Sequence, residues 1–470
     1  MTAPPSSPPG GDLDRALDRA GAGEAIPGNI ARLLIDGPDN YAAMLEMIAG
    51  ATRRIHLENY IIRDDATGRR FADALIDRVA AGVRVRILYD WLGSIGTGAA
   101  FWRRLREAGI EVRCFGRPRL LDPMAVVARD HRKLLVVDGH RAVTGGLCIG
   151  DEWTGDPARQ RLPWRDTGIL VEGPAARAMD HAFQDIWVAS GGVDPDDGLE
   201  VEGDISPAGP TTIRVVATRP GDGRAWRVLD LLLGLGSERI WVTDAYLAAP
   251  ARLYQVFQDA AADGVDVRLL VPGASDLPLV RNVSRTGYRK LLRSGVRIWE
   301  WGGAMLHAKT ALIDGRWVRV GSSNLNPSSL MANWEIDLFI EDRALAEEMS
   351  RQFADDLAHS REILTRPRLL PPVPVFGRPT ALVADPSPLV PARRPGPRGL
   401  LERRRRAVIR GAALIRAARS ALLGTAGGVL VAMAVVLVLF PRLAAYSTAA
   451  VAGLIGIVLL GSALGRRGRG

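Results

Sequence analysis

The chain has 470 residues, of which 47% are hydrophobic and 24% are charged. This composition excludes a chain that is disordered throughout or fibrous, and the length predicts more than one compact unit. Only two cysteines are present, which excludes both a disulfide framework and a zinc site built from cysteines.

The positive charge is concentrated at the C-terminus. The net charge is +9, but residues 366–470 contain 17 arginines against two acidic residues and so carry +15, which leaves −6 for the first 365 residues. A groove that follows a nucleic-acid backbone normally requires a basic face on the folded domain. We therefore expect no nucleic-acid partner for the body of the chain.

The N-terminal part of the chain divides into a lead and two larger segments. Residues 1–28 are rich in proline, serine and glycine and have no apolar core, which excludes a secretory signal peptide and predicts a disordered lead. An acidic segment with glycine and proline, residues 194–210, predicts a linker between a first lobe, residues 29–193, and a second lobe, residues 211–365.

The two lobes repeat the same order of predicted elements. In each lobe, three short strand-like segments alternate with helix-like segments, and the strands of the two lobes are residues 54–60, 82–88 and 109–112, and residues 239–246, 264–270 and 295–298. Tyr60 and Tyr246 end the first strand of each set. Such alternation predicts βαβ units. We expect two α/β lobes related by pseudo-twofold symmetry, with mixed, mostly parallel sheets.

Each lobe then carries the pattern H-x-K-x4-D. The two copies are His131, Lys133 and Asp138, and His307, Lys309 and Asp314. Residues two apart on a strand share a face, so each strand can deliver an imidazole and an ammonium to one site. The chain has only three lysines against 58 arginines, and two of the three fall in these motifs. This choice indicates that the site requires a compact point charge that a planar guanidinium cannot replace.

The C-terminal region is predicted to attach the body to a membrane. A tether rich in proline and arginine, residues 366–402, leads to a basic juxtamembrane segment, residues 403–419. Residues 420–464 then form two transmembrane helices, because the uncharged runs 421–440 and 443–464 are each long enough to span a bilayer. Arginines flank the pair on both sides, so both ends are expected in the cytoplasm.

The duplicated H-x-K-x4-D pattern resembles the two-HKD phospholipase D superfamily and, within it, the bacterial cardiolipin synthases. The resemblance covers roughly residues 29–364 and includes the segments 164–166, 171–174 and 321–327. It implies an enzyme of the bacterial inner membrane with its catalytic body in the cytoplasm. Such an enzyme would take phosphatidylglycerol as substrate and join two molecules of it into cardiolipin, with release of glycerol.

The resemblance also implies roles for the histidines and their carboxylates. One histidine attacks phosphorus to form a phosphatidyl-histidine intermediate, and the other protonates the leaving alcohol and then deprotonates the incoming one. By analogy His131 is the nucleophile and His307 the acid and base, although the sequence alone does not order them. Glu335 and Asp166 match the carboxylates that orient the histidines. The mechanism requires neither a metal nor another cofactor.

The remaining motif residues are expected to bind phosphate or to support the site. Lys133 and Lys309, with Ser322 and Asn324, would neutralise the non-bridging oxygens in the transition state. Asp138 and Asp314 are expected to be supporting groups that donate no proton in the reaction.

The first lobe departs from the second in two places. Cys148 stands where the second lobe has Asn324, and a thiol cannot replace a side-chain amide. Either the second lobe binds phosphate mainly by itself, or activity is reduced. The first lobe also has ten more residues before its motif, around residues 117–127, which suit either a loop that contacts lipid or an ordinary covering loop.

Other functions are compatible with parts of this pattern. Hydrolysis to phosphatidic acid differs from synthesis only in the use of water as acceptor, and no motif decides between the two. A nuclease of the same superfamily is disfavoured by the acidic body. A membrane-bound protein that binds lipid without catalysis is disfavoured because both histidine and lysine pairs are intact.

Overall fold

The computed structural model describes residues 11–21, 23–118, 128–156, 161–193 and 205–364. The predicted tether, the juxtamembrane segment and both predicted transmembrane helices lie outside these residues, as does most of the additional loop in the first lobe. Within the described ranges, no helix is long and apolar enough to cross a membrane.

Fifteen strands and eleven helices form in the described part of the chain. The strands are β1 Ile26–Ile35, β2 Arg54–Asn59, β3 Arg84–Asp90, β4 Glu111–Phe115, β5 Lys133–Val137, β6 Arg141–Gly145, β7 Thr167–Glu172, β8 Thr211–Thr218, β9 Arg239–Asp244, β10 Asp266–Pro272, β11 Arg297–Trp301, β12 Lys309–Ile313, β13 Trp317–Gly321, β14 Glu335–Glu341 and β15 Ser360–Glu362. The helices are α1 Asp12–Gly21, α2 Asp36–Ala49, α3 Ala66–Ala80, α4 Ala99–Glu107, α5 Asp151–Thr154, α6 Pro174–Ala189, α7 Arg224–Leu235, α8 Ala251–Ala262, α9 Pro278–Arg293, α10 Pro327–Met331 and α11 Arg343–Ala358.

One sheet contains all the described strands. Its order is β15-β11-β10-β9-β12-β13-β14-β8-β1-β7-β6-β5-β2-β3-β4. From the central antiparallel pair of β1 and β8, the order β7-β6-β5-β2-β3-β4 on one side corresponds to β14-β13-β12-β9-β10-β11 on the other. The two lobes therefore repeat one topology about the centre of a continuous sheet. The predicted α/β class with a mixed sheet is confirmed.

The expectation of mostly parallel sheets was wrong. Of the fourteen neighbouring strand pairs in the described residues, only the four within β2-β3-β4 and β9-β10-β11 are parallel. The βαβ pattern that was visible in the sequence belongs to these six strands. The motif strands β5 and β12 instead connect to their successors through tight turns, and a connection that short can join only antiparallel strands.

Part of the predicted disordered lead is ordered, which corrects that expectation. Residues 12–21 form α1, which packs against α7, and β1 begins at Ile26. Leu17 is fully buried, and Asp18 accepts a hydrogen bond from Arg214 at 2.5 Å. The polar composition around it hides this short amphipathic helix, and a helix of this length gains most of its stability from tertiary packing.

A shared apolar core joins the two lobes. One cluster of buried side chains contains Phe183 and Trp187 of α6, Ile213 at the sheet centre and Phe353 of α11. It therefore includes residues from both lobes on one face of the sheet. This packing fixes the relative positions of the two motif strands, which is what a site built from both lobes requires.

Candidate active site

The two motif histidines lie just before the equivalent strands β5 and β12. The backbone N–H of His131 donates to the carbonyl of Trp334 at 3.0 Å, and that of His307 donates to the carbonyl of Arg165 at 2.7 Å. In each case the acceptor belongs to the other lobe and directly precedes an orienting carboxylate. The backbone thus places each histidine beside a carboxylate from the opposite lobe.

The side chains pair across the lobes in the same way. Nδ1 of His131 lies 3.0 Å from both carboxylate oxygens of Glu335, and Nδ1 of His307 lies 2.8 Å from Oδ2 of Asp166. Both carboxylates are fully buried. A carboxylate that accepts the Nδ1 proton leaves Nε2 with a free lone pair, which is the state a nucleophile or base requires. The sequence indicated the four residues, but it did not indicate that the pairs cross.

Electrostatics set the protonation of these pairs. Burial lowers the pKa of His307 to about 4 and also holds the pKa of His131 below its ordinary value. Burial alone would raise the pKa of Glu335, but the attraction of His131 outweighs it and holds that pKa at about 2. The pKa of Asp166 is likewise lowered, because His307 outweighs the effect of burial. Near neutral pH both imidazoles are therefore neutral and both carboxylates ionised.

The two motif lysines contribute charge to a single site. Lys133 Nζ donates to the carbonyl of His131 at 2.5 Å, and Lys309 Nζ donates to the carbonyl of His307. Burial lowers the pKa of Lys309 to about 8. Lys309 also contributes to the lowered pKa of His131, and Lys133 to the lowered pKa of His307. The two histidine and lysine pairs therefore lie within electrostatic reach of each other.

Two equivalent tyrosines line the site, and the sequence interpretation did not assign them a role. The Tyr60 ring meets the His131 ring edge to face at 5.0 Å, and the Tyr246 ring meets the His307 ring at 5.9 Å. Each tyrosine ring also faces the motif lysine of its own lobe, at 5.2 and 5.9 Å. Burial raises the pKa of Tyr60 to about 12. The signal that could have identified them was their matching position in the two repeats.

The second hydrogen-bond donor to each orienting carboxylate differs between the lobes. Ser322 Oγ donates to Glu335 at 2.5 Å. In the first lobe the equivalent residue is Gly146, where a Cβ would lie 2.1 Å from Oδ1 of Asp166. Trp153 Nε1 donates to Asp166 instead, at 2.9 Å. The proton of Ser322 is thus used within the protein, and its predicted contact with phosphate stays a prediction.

Asn324 and Cys148 occupy equivalent places but offer different chemistry. Asn324 is 4% exposed, and its buried side-chain oxygen has no hydrogen-bond partner among the described residues. Cys148 is fully buried, and burial raises the pKa of its thiol although both motif lysines oppose this. The thiol is therefore protonated near neutral pH. Asymmetric phosphate binding, mainly by the second lobe, stays a prediction.

The motif aspartates are remote from the histidines. Asp138 and Asp314 follow β5 and β12 in turns with left-handed φ values of 51° and 52°. The carboxylate of Asp138 accepts backbone N–H groups at the start of β2, and that of Asp314 does the same at the start of β9. Burial alone would raise the pKa of Asp138, but these hydrogen bonds outweigh it and lower the pKa. A strand of 5 residues lies between each aspartate and its histidine. Such a strand is about 16 Å long, which agrees with a supporting role for the aspartates.

Two buried arginines connect the lobes next to the orienting carboxylates. Arg132 donates to the carbonyls of Glu335 at 3.1 Å and Thr218 at 3.0 Å in the second lobe. Arg165 donates two hydrogen bonds to Asp356 on α11, at 2.7 and 2.8 Å. The sequence alone assigns neither arginine a role, because their partners are distant in the chain.

Known proteins are similar to this chain over both lobes. The family model for the cardiolipin synthase, PLD-like domain matches residues 44–154 and 232–357. Cardiolipin synthase A of Pseudomonas entomophila is 31% identical over 354 residues, which cover 74% of this chain and 73% of that protein. Cardiolipin synthase 1 of Bacillus anthracis is 32% identical over 369 residues, which cover 75% and 71%. The chain therefore belongs to the cardiolipin synthase family of phospholipase D-like proteins, and it is a transphosphatidylase of that superfamily.

A solved structure shares the fold. The phosphatidylserine synthase of Haemophilus influenzae Rd KW20 superimposes with a TM-score of 0.57 at 16% sequence identity. The match covers 75% of this chain and 92% of that protein.

Proposed function

We propose that this protein joins two phosphatidylglycerol molecules into cardiolipin and releases glycerol, through a phosphatidyl-histidine intermediate. The observation that carries the proposal is the pair of crossed contacts, His131 with Glu335 and His307 with Asp166. Together with the two motif lysines, they supply one nucleophile, one acid and base, and the charge to stabilise a phosphodiester under attack.

In the first step, Nε2 of His131 attacks phosphorus and the bond to the glycerol oxygen breaks. His307 gives its Nε2 proton to that oxygen, so glycerol leaves neutral. The imidazole of His307 must therefore be protonated when substrate is bound. The anionic phosphodiester supplies the reason, because a nearby negative charge raises the pKa of a histidine.

In the second step, a hydroxyl of another phosphatidylglycerol attacks the same phosphorus. His307, now neutral, takes the proton of that hydroxyl, and the bond between phosphorus and His131 breaks. Throughout both steps Glu335 accepts the Nδ1 proton of His131 and stabilises the positive imidazole ring of the intermediate. After these two displacements at phosphorus, the enzyme is free again.

The lysines and Asn324 provide the complementary charge and hydrogen bonds. Lys133 and Lys309 balance the non-bridging oxygens, where charge increases in the transition state. The side-chain NH2 group of Asn324 would donate a further hydrogen bond to these oxygens from the second lobe. Ser322 acts through Glu335 unless its hydroxyl turns toward the phosphate.

The C-terminal region would hold this site at its substrate. Two transmembrane helices within residues 420–464, preceded by the basic segment 403–419 and the tether 366–402, would anchor the protein in the bacterial inner membrane. Arginines on both flanks of the pair favour a catalytic body, residues 29–365, in the cytoplasm.

The test is turnover by the full-length protein in vesicles. Phosphatidylglycerol is offered alone and mixed with phosphatidylethanolamine, and lipid products and free glycerol are measured. Cardiolipin and glycerol in equal amounts are expected, with no product from His131→Ala. The matched control, His181→Ala, replaces an exposed histidine on α6 and should retain activity.

Other outcomes would assign another function. Phosphatidic acid without cardiolipin would identify a hydrolase with water as acceptor. No turnover of any phosphodiester would favour a protein that binds lipid without catalysis.

A further inference from the structure

Five exposed apolar side chains lie on segments next to the site, three of them in loops that follow β3 and β10, one in the segment before β7 and one on α9. They are Leu92 (41% exposed), Ile95 (62%), Leu162 (66%), Leu277 (49%) and Val283 (49%). We call them the apolar rim. Most large apolar side chains elsewhere in the described body are buried, so this grouping requires a reason.

The rim lies at the edge of the sheet that carries the motif histidines. Lys133 at the start of β5 pairs with Asn59 at the end of β2, and Lys309 at the start of β12 pairs with Asp244 at the end of β9. Because β3 and β10 run parallel to β2 and β9, they end at that same edge. The segment 91–98 leaves β3 there, and the segment 273–277 leaves β10.

Contacts with the two site tyrosines attach these segments to the active site. Ser94, which lies between Leu92 and Ile95 in the chain, donates a hydrogen bond from its Oγ to the carbonyl of Tyr60 at 3.2 Å. In the second lobe, the hydroxyl of Tyr246 donates to Asp276 at 2.8 Å, directly before Leu277. The rim is therefore built twice, once in each lobe, at equivalent positions.

The remaining part of the rim joins the site through a tryptophan. Leu162 lies two residues before Trp164, whose ring is 5.7 Å from that of His307. The Trp164 ring also contacts that of Trp153, at 4.8 Å. The exposed Leu162 is thus close in the chain to a tryptophan whose ring lies beside the motif histidine His307.

The charges around the rim favour an anionic lipid surface as its partner. Segment 91–98 has no charged residue, and the acid in the loop of Leu277 is Asp276, which is engaged with Tyr246. Arg161 stands next to Leu162 and is exposed, and α9, which carries Val283, has no acidic residue and five basic ones, of which Arg285 is paired with Glu300. Apolar side chains beside cations are typical of segments that enter the boundary between headgroups and acyl chains.

We propose that the apolar rim inserts into the bilayer at this boundary, so that a lipid reaches the histidines directly from the membrane. The proposal rests on the proposed function for the identity of that lipid. Insertion itself is a property of the surface and can be measured without turnover.

The experiment places a fluorophore at single positions of the full-length protein in vesicles of phosphatidylglycerol and phosphatidylcholine. Cys114 is first replaced by serine, and the buried Cys148 is kept. The labelled variants are Ile95→Cys and Leu277→Cys in the rim. The matched control is Ile30→Cys, an exposed apolar position that pairs with Glu172 at the opposite edge of the sheet.

The measured quantity is the quenching of the fluorophore by spin labels on the lipid acyl chains. The expected result is loss of fluorescence at positions 95 and 277 but not at position 30, with the reverse order for a water-soluble quencher. Equal behaviour at all three positions would overturn the proposal. So would energy transfer between labels at position 95 on different copies, because it would show that the rim covers a second copy of the chain.

A second variant tests the same surface. Leu92→Asp, combined with the label at position 95, should reduce quenching by the lipids, whereas Ile30→Asp should not. Quenching at the rim together with absent turnover would refute the proposed function and keep this inference, and turnover without quenching would do the opposite.

Discussion

The contact between His131 and Glu335 allows a quantitative prediction for Glu335→Gln. The carboxylate is fully buried, accepts the Nδ1 proton of His131 at 3.0 Å and receives a hydrogen bond from Ser322 at 2.5 Å. Glutamine has almost the same shape but no charge. The substitution therefore removes the electrostatic part of the contact and leaves most of the packing.

The magnitude follows from the lowered pKa. The pKa of Glu335 is held at about 2 against an ordinary value of 4.5, and this difference corresponds to about 3 kcal/mol in favour of the ionised form. His131 is the largest attraction that lowers it. Because the interaction is mutual, its loss destabilises the positive ring of the intermediate by a similar amount. We expect kcat to fall by about 100-fold.

The assay combines turnover with a spectroscopic measurement. Rates of cardiolipin formation are compared for the wild type, Glu335→Gln and the conservative variant Glu335→Asp, which should recover part of the loss. The chain has only six histidines, so the ring resonances of isotopically labelled histidine can be followed as the pH changes. Glu335→Gln should lower the pKa of His131, because it removes a charge that favours the protonated ring.

Two results would refute this reasoning. One is a rate within a few-fold of the wild type, which would mean that the carboxylate only fills space. The other is a change in the titration of His307 without a change in that of His131, which would mean that the pairs do not cross between the lobes.

Three further predictions test other parts of the site. Gly146→Ala should abolish turnover, measured as product formation, because the new Cβ would lie 2.1 Å from Asp166. Gly98→Ala should leave turnover unchanged, because its new Cβ would have no atom within 4 Å. Arg165→Lys should lower both Tm and kcat, since lysine cannot make the two hydrogen bonds to α11; an unchanged Tm would contradict this. The pKa of His307 is about 4 instead of 6.5, so the unfolded chain binds a proton that the folded chain excludes. Stability should thus fall by on the order of 3 kcal/mol as the pH drops from 6.5 to 4, and His307→Gln should flatten this decline in thermal unfolding between pH 7 and pH 5.

The motif residues of the candidate site could be recognised from the sequence because they are repeated and compositionally unusual. Two copies of H-x-K-x4-D contain two of the three lysines in a chain rich in arginine. The short spacing also fixed the relation of each histidine to its own lysine, since residues two apart on a strand share a face. This local information does not depend on how the lobes meet.

The crossed pairing could not be predicted because it depends on long-range strand order. His131 and Glu335 are 204 residues apart and meet only because β1 and β8 join the lobes at the sheet centre. The same limit explains why Arg132 and Arg165 had no assigned role. In the first lobe, Trp153 takes the place of the missing serine as hydrogen-bond donor to Asp166. The sequence did not indicate this contact, because Trp153 lies on a different element, α5.

The errors in the fold have local causes. The parallel βαβ pattern was correctly recognised in β2-β3-β4 but was extended to strands that are joined by tight turns. The ordered helix α1 was missed because the prediction followed the polar composition of residues 1–28 and overlooked the helical spacing of Leu13, Leu17 and Ala20.

Trapping the intermediate tests the central claim most directly. Full-length protein is mixed with phosphatidylglycerol vesicles, stopped within one turnover by denaturant at alkaline pH to preserve a bond between phosphorus and nitrogen, and analysed by peptide mass spectrometry. The account predicts a phosphatidyl group on His131, which is present while cardiolipin accumulates and is lost once the phosphatidylglycerol has been consumed. Cardiolipin formation without any modified histidine, or with the group on His307, would contradict it.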